Sequence, residues 1–344
     1  SLEQQIRALS DAGALVYVIL LAYEPSDPLV KQLLLHPDFD SGAPNHLGAF
    51  NVKTAGGRAC LAATIEALAE RWSRPSGEHG RVAGYIVGNE VNSHWFWYNQ
   101  GRAPLAEVAD DYAAAVRIVH HAVRRHAAWP RVYVSLDHHW SIPYAAGDDR
   151  QCVAGKALID RFAQLVRESP EGDFDWRVAY HPYPENLFEP RFWNDATALD
   201  SFETPRITFK NLRVLTDYLQ RSELLYDGHS RRVILSEQGF HTPPGDEGEV
   251  LQAAAFCYAY EKIDRLEGID AFILHRHVDH PNEGGLLLGL RRREAGAGEP
   301  YPKKRVYDCF QAAGTPKWEE ASAFALPIVG IKSWEEIPRE RASK

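Results

Sequence analysis

Short apolar runs alternate with helical patterns along almost the whole chain, and that alternation restricts the fold more than any other feature. The apolar runs cover 14–22, 82–90, 131–136, 176–180, 232–237 and 269–274. They are nearly continuous in hydrophobicity, as strands covered on both faces are. Between them, apolar residues recur at helical spacing: Leu61, Ile65, Leu68 and Trp72; Leu158, Phe162 and Leu165; Leu212, Leu215 and Leu219. The clearest stripe is Leu105, Val108, Tyr112, Val116, Val119 and Val123, opened by Pro104. Leu2, Ile6 and Leu9 begin the pattern, Val250, Ala254 and Cys257 continue it, and a last helix falls near Val306 to Phe310.

Strand and helix in turn predict an α/β fold with a parallel sheet and covering helices. Six strands can be counted, whereas a closed (β/α)8 TIM-type barrel needs eight. The chain opens on a helix, so strands 1 and 2 of such a barrel are expected either before Ser1 or not at all. An open doubly wound sheet is the alternative, but no Gly-rich phosphate loop follows any of the strands. The expected organisation is a catalytic barrel over 1–313 and an extension over 314–344, whose apolar stretch Phe324 to Ile331 packs back on the barrel.

Bulk properties exclude several classes. A net charge of -9 argues against a nucleic-acid surface. No apolar run approaches the roughly 20 residues of a membrane span. No signal peptide is visible, although the chain starts abruptly at Ser1. Cys60, Cys152, Cys257 and Cys309 form no CxxC pair, so free thiols are expected and a zinc knuckle is not. Methionine is absent from all 344 residues, and no functional meaning attaches to that. The sequence carries no signature of an oligomeric state.

Two of the apolar runs end on a carboxylate: Gly84-Tyr85-Ile86-Val87-Gly88-Asn89-Glu90 and Val233-Ile234-Leu235-Ser236-Glu237. In barrels of alternating strands and helices the C-terminal end of the strand is where chemistry is done. Cleaving a glycosidic bond takes one group to protonate the leaving oxygen and another to attack or stabilise the anomeric carbon. Two carboxyl groups about 5–5.5 Å apart do this with retention of configuration, through a covalent intermediate.

Asn89-Glu90 closing one strand and Glu237 closing a strand three crossovers later resemble the large clan of retaining glycoside hydrolases built on (β/α)8 barrels. In that clan an Asn-Glu pair ends strand four, with the Glu as acid/base, and a second Glu ends strand seven as nucleophile. Counting the run at Glu90 as strand four makes the run at Glu237 strand seven, and the absent strands are then one and two. The resemblance covers about residues 1–312. It implies Glu90 as acid/base, Glu237 as nucleophile, and Asn89 as a hydrogen-bond partner of the sugar 2-hydroxyl. It also implies that His181 or Tyr183, or the neighbouring Tyr180, positions the nucleophile. The run Val91 to Tyr98 departs from better-known members, so no substrate family carries over. Adjacent residues of a strand face opposite ways, so Asn89 and Glu90 can share a site only if the strand ends or bulges there.

Other strand ends carry sugar-binding candidates. Asp137 and His138 end one run with groups suited to hydroxyls. Trp95, followed by Trp97 and Tyr98, offers an aromatic face for a sugar ring and is expected to line the cleft. His275 and His277 end the last strand; on a strand their spacing puts both rings on one face, which is also a metal-ligand arrangement.

The expectation is therefore a retaining glycoside hydrolase of poly- or oligosaccharides, with a carbohydrate as its partner and no cofactor or metal. Such work usually lies outside the cytoplasm, in an extracellular or periplasmic setting. Two alternatives stand beside it: a non-catalytic carbohydrate-binding protein on a hydrolase scaffold, and a metal-dependent barrel hydrolase using His138, His275, His277 and a carboxylate. The stretch Ser236-Glu237-Gln238-Gly239 is not a nucleophile elbow, so a serine hydrolase is not expected.

Overall fold

The computed structural model describes residues 1–339 apart from 146, 147, 295 and 297. All six expected strands form, in one sheet of order β1-β4-β5-β6-β7-β8. They are β1 (Val16–Leu20), β4 (Val82–Val87), β5 (Arg131–Asp137), β6 (Trp176–His181), β7 (Val233–Gln238) and β8 (Ile269–Leu274). The short strands β2 (Ala22–Tyr23) and β3 (Leu47–Gly48) make a separate antiparallel ribbon. Each sheet strand lies beside its predecessor in sequence, which is the order a (β/α) barrel follows as it is laid down.

Eleven helices occur among the described residues: α1 (Leu2–Asp11), α2 (Pro28–Leu34), α3 (Ala55–Trp72), α4 (His94–Trp97), α5 (Leu105–Arg124), α6 (Gly155–Glu168), α7 (Arg213–Tyr218), α8 (Gly248–Asp264), α9 (Arg305–Ala312), α10 (Trp318–Ser322) and α11 (Leu326–Val329). The chain divides into two compact units, residues 1–179 with 220–231, and residues 180–219 with 232–344.

In the first unit β1 pairs parallel with β4, and β4 with β5. The stripe read from the sequence on α5 is the buried one: Val108, Tyr112, Val116, Val119 and Val123 all lie inside. Tyr112 stands at the centre of an aromatic chain, 5.4 Å from the Tyr98 ring and 5.8 Å from Phe162, which in turn meets Trp176 at 5.1 Å. Helix α1 keeps the expected spacing and a Ser1–Gln4 capping box, but only Ile6 is buried, with Leu2 and Leu9 at the surface. Spacing sets which residues share a helix face; it does not say that the whole face is covered.

In the second unit β7 pairs parallel with β8. Its core is aromatic: Phe209 meets Phe240 at 5.3 Å, and Phe256 stacks on Phe272 at 5.8 Å. The segment after Gly314 packs on α8 and α9. Trp318 donates its ring N–H to Glu261 at 2.6 Å, and Trp334 donates to Ser322 at 3.0 Å. All four cysteines are free thiols, as expected, and Cys60, Cys257 and Cys309 lie on helices.

Candidate active site

Strand β4 ends at Val87, three residues before Glu90. Gly88 takes φ 71°, and a Cβ there would lie 2.5 Å from the Tyr98 ring, so both the turn and the space call for glycine. Glu90 itself is left-handed at φ 42°, ψ 53°, a conformation costing a non-glycine residue about 1–2 kcal/mol. The alternation that would separate Asn89 from Glu90 therefore ends before them. The Glu90 N–H donates to Ser135 Oγ at 3.0 Å, which holds the strained residue in place. Asn89 is buried, and its Oδ1 has no hydrogen-bond partner among the described residues.

The turn after Glu90, Val91–Ser93, is fastened to Asp137 at the end of β5. Asn92 Nδ2 donates to Asp137 Oδ1 at 2.6 Å, while the Asp137 N–H donates back to Asn92 Oδ1 at 2.9 Å. Ser93 Oγ donates to the other carboxylate oxygen. The His139 N–H donates to Oδ1 at 2.7 Å, and its ring nitrogen Nδ1 lies 3.0 Å from the same atom. Burial works to raise the Asp137 carboxyl, yet the bond from His139, the nearby charges of His139 and His138 and the Ser93 hydroxyl hold it well below the usual range. Asp137 is thus a strut for the Glu90 turn, with donors on both oxygens. His138 is buried, its ring 4.3 Å from that of His139.

Trp95 sits on α4, half-buried, and donates its ring N–H to Asp40 Oδ2 at 2.9 Å. That bond, with the Gly42 N–H, draws the Asp40 carboxyl below its ordinary value. The Arg102 guanidinium lies over the Trp95 ring at 5.7 Å. Tyr98 is buried in the aromatic core.

In the second unit, β7 departs from regular pairing between Leu235 and Gln238, where three steps along β7 match two steps from Phe272 to Leu274 on β8. The register of β7 against β8 therefore shifts by one residue across Ser236 and Glu237. Tyr183 donates its hydroxyl to Glu237 Oε1 at 3.2 Å. His181, fully buried at the end of β6, places Nε2 3.0 Å from Ser236 Oγ and a ring nitrogen within 4.8 Å of a Glu237 oxygen. Tyr180 is buried as well and donates to the Ile207 carbonyl at 3.2 Å.

Strand β8 stops at Leu274, so His275 and His277 lie beyond it and the strand argument for a shared face does not apply. His275 Nε2 lies 3.5 Å from Glu283 Oε2, and His277 is exposed. Among the described residues, none of His138, His275 and His277 joins a cluster of three or more metal-ligating side chains. The supports Ser135, Asn92 and Ser93 escaped the sequence reading, because small polar residues have no periodic signal. Only Asn92 and Ser93, directly after the acid, could have been suspected.

The sequence pattern of a family described as "Family of unknown function (DUF5722)" matches residues 1–337. No curated protein sequence matches the chain. Among solved structures, a family 39 glycoside hydrolase from the gut symbiont Bacteroides cellulosilyticus WH2 superposes with a TM-score of 0.52 at 14% identity, over 96% of this chain and 54% of that one. A monomeric beta-xylosidase from Caulobacter crescentus CB15 gives 0.52 at 15% identity, over 90% and 55%. The chain spans little more than half the length of either. At such identity the likeness speaks for the fold: the α/β, TIM-type barrel class, here with six parallel strands.

Proposed function

We propose that this chain, which belongs to the DUF5722 family, is a retaining glycoside hydrolase in which Glu90 is the acid/base and Glu237 the nucleophile. The observation that carries the reading is Asn89. Among the described residues its buried carbonyl oxygen, next to Glu90 in the chain, has no donor, a cost that a sugar hydroxyl would relieve. A sugar 2-hydroxyl donating there would strengthen its bond as charge develops in the transition state.

The supports on each carboxylate suit the two roles. Glu90 is positioned through its main chain, by Ser135, and through its following turn, by Asp137, which suits a proton donor that must sit beside the leaving oxygen. Glu237 is held through its carboxylate by Tyr183, as a nucleophile that must attack along one line is. Glu90 gives its proton to the leaving oxygen while Glu237 forms the glycosyl ester. Glu90, now a base, then takes a proton from the water that releases the sugar.

The experiment is a comparison of wild type, Glu90→Ala and Glu237→Ala on aryl glycosides and natural oligosaccharides. Loss of turnover in both variants, rescue of Glu90→Ala by azide on an activated glycoside, and a first product of unchanged anomeric configuration are expected. Wild-type turnover surviving in Glu237→Ala overturns the assignment. Sugar binding by a wild type that turns nothing over would make this a carbohydrate-binding protein.

A further inference from the structure

We propose that Tyr144 is the stacking platform for the leaving-group sugar, so that the substrate carries a sugar ring on the far side of the cleaved bond. The inference rests on Glu90 being the acid/base. The residue that protonates a glycosidic oxygen lies beside the group that departs, so side chains around Glu90 in the first unit are those that the departing group meets.

Tyr144 stands in the loop after β5 with 51% of its surface exposed, although it is a large ring in a well-packed neighbourhood. Two edge-to-face contacts fix it. Its centroid is 4.9 Å from Phe96 at 80° and 5.3 Å from His139 at 81°. Both neighbours are anchored in turn. Phe96 lies in α4 with its carbonyl accepting from Asn45 at 3.0 Å, and His139 is bound to Asp137. An exposed ring held this firmly has lost its rotamer freedom before any ligand arrives, so stacking costs little ordering entropy. Through His139 the ring is tied to Asp137, whose carboxylate fastens the turn after Glu90, so Tyr144 belongs to the same packed group as the support of the proposed acid. An aromatic face matches the apolar C–H face of a pyranose, and the hydroxyl beside it matches the ring's equatorial groups.

The sequence gives no reason to single out this tyrosine: it sits in a loop without periodicity, and Trp95 is the more conspicuous ring. The structure separates the two. The Trp95 edge is bound to Asp40 and Arg102 lies over its ring, whereas Tyr144 is the more exposed of the two.

The test compares wild type, Tyr144→Ala and Tyr144→Phe on xylobiose and cellobiose and on the matching glycosyl fluorides, whose leaving group is a single atom. Binding of the two disaccharides to Glu237→Gln, with and without Tyr144→Ala, is measured by calorimetry alongside. Tyr144→Ala is expected to lower kcat/KM on the disaccharide about tenfold, mostly through KM, and clearly less on the fluoride. Tyr144→Phe should recover most of the loss, because the ring carries the stacking. Equal losses on disaccharide and fluoride would overturn the platform and leave the glycosidase reading standing. A wild type that cleaves neither substrate but binds disaccharide about tenfold more tightly than Tyr144→Ala would keep the platform and remove the hydrolase. Neither cleavage nor binding would overturn both.

Discussion

Ser135 on β5 receives the main-chain N–H of Glu90 at 3.0 Å, and so a neighbouring strand holds the proposed acid where its own strand has ended. Ser135 is itself held: its N–H donates to the Tyr112 hydroxyl at 2.9 Å, and that hydroxyl donates to the Val87 carbonyl at 2.8 Å. The relay starts at the last residue of β4, passes through α5 and β5, and returns to Glu90. Removing the Ser135 hydroxyl takes the acceptor from the part-buried N–H of Glu90, a left-handed residue. Ser135→Ala is expected to lose about 1–3 kcal/mol of stability. Its kcat should fall by at least tenfold with KM little changed, because the proton donor is displaced while the binding surface persists. Steady-state kinetics beside urea denaturation checks both.

Asp137 gives a prediction with a pH signature. Its folded carboxyl titrates below the ordinary range, so its contribution to stability is fully present above the unfolded Asp value, about 3.9, and is lost as pH falls through the lower folded value. Asp137→Asn puts a donor where Asn92, Ser93 and His139 supply donors already. The variant should be less stable than wild type at pH 7, and the gap should narrow only as the pH drops below about 4. Urea midpoints for both proteins from pH 7 to pH 3 decide it. A gap independent of pH would mean that the carboxylate charge is not what secures the turn.

His94 behaves in the opposite chemical sense but with the same trend. Burial drives its imidazole down to about 4, against a bond to the Arg150 carbonyl that favours the charged form. The unfolded chain therefore takes up a proton near pH 6.5 that the folded chain refuses until about pH 4. Stability falls as the pH drops from 6.5 towards 4 and is independent of this group above and below that window. His94→Gln should flatten the dependence between pH 7 and pH 4.5, measured by thermal or urea unfolding.

Sequence patterning located all six sheet strands: β4, β5 and β6 are buried over nearly their whole length and β7 over most of it, and β1 and β8 keep the apolar run although they are only partly covered. The α5 stripe was legible through its helical spacing. Boundaries were less legible. Asn89 and Glu90 read as the end of a strand, yet the strand stops at Val87, since Gly88 and Glu90 adopt positive φ that hydrophobicity does not encode. The register shift at Ser236–Glu237 was invisible too, because it depends on the pairing with a partner strand. Asp137 read as a sugar ligand, but a strand-end carboxylate looks alike in sequence whether donors come from a ligand or from a neighbouring turn. Tyr144 was missed because exposure of a loop ring is decided by packing.

The buried ion pair of Lys304 and Asp279 offers the sharpest stability test. Lys304 Nζ lies 2.7 Å from Asp279 Oδ1, with side chains 1% and 7% exposed. Thr242 Oγ1 accepts from the same ammonium at 2.9 Å, and the Gly289 N–H donates to Asp279 at 2.7 Å. The pair ties the loop after β8 to the start of α9, with burial lowering the ammonium's proton affinity against the pull of Asp279. Taking two charges out of water costs nearly what their attraction returns, so the pair as a whole adds little, but either half alone is an uncompensated charge. Lys304→Met should therefore cost about 3–5 kcal/mol, and Asp279→Leu a comparable amount. The double variant should be much closer to wild type than the sum of the two. Chemical denaturation of the four proteins gives the cycle. Additive losses would show that each residue acts through its own packing, with Asp279 secured by the Gly289 N–H rather than by the lysine.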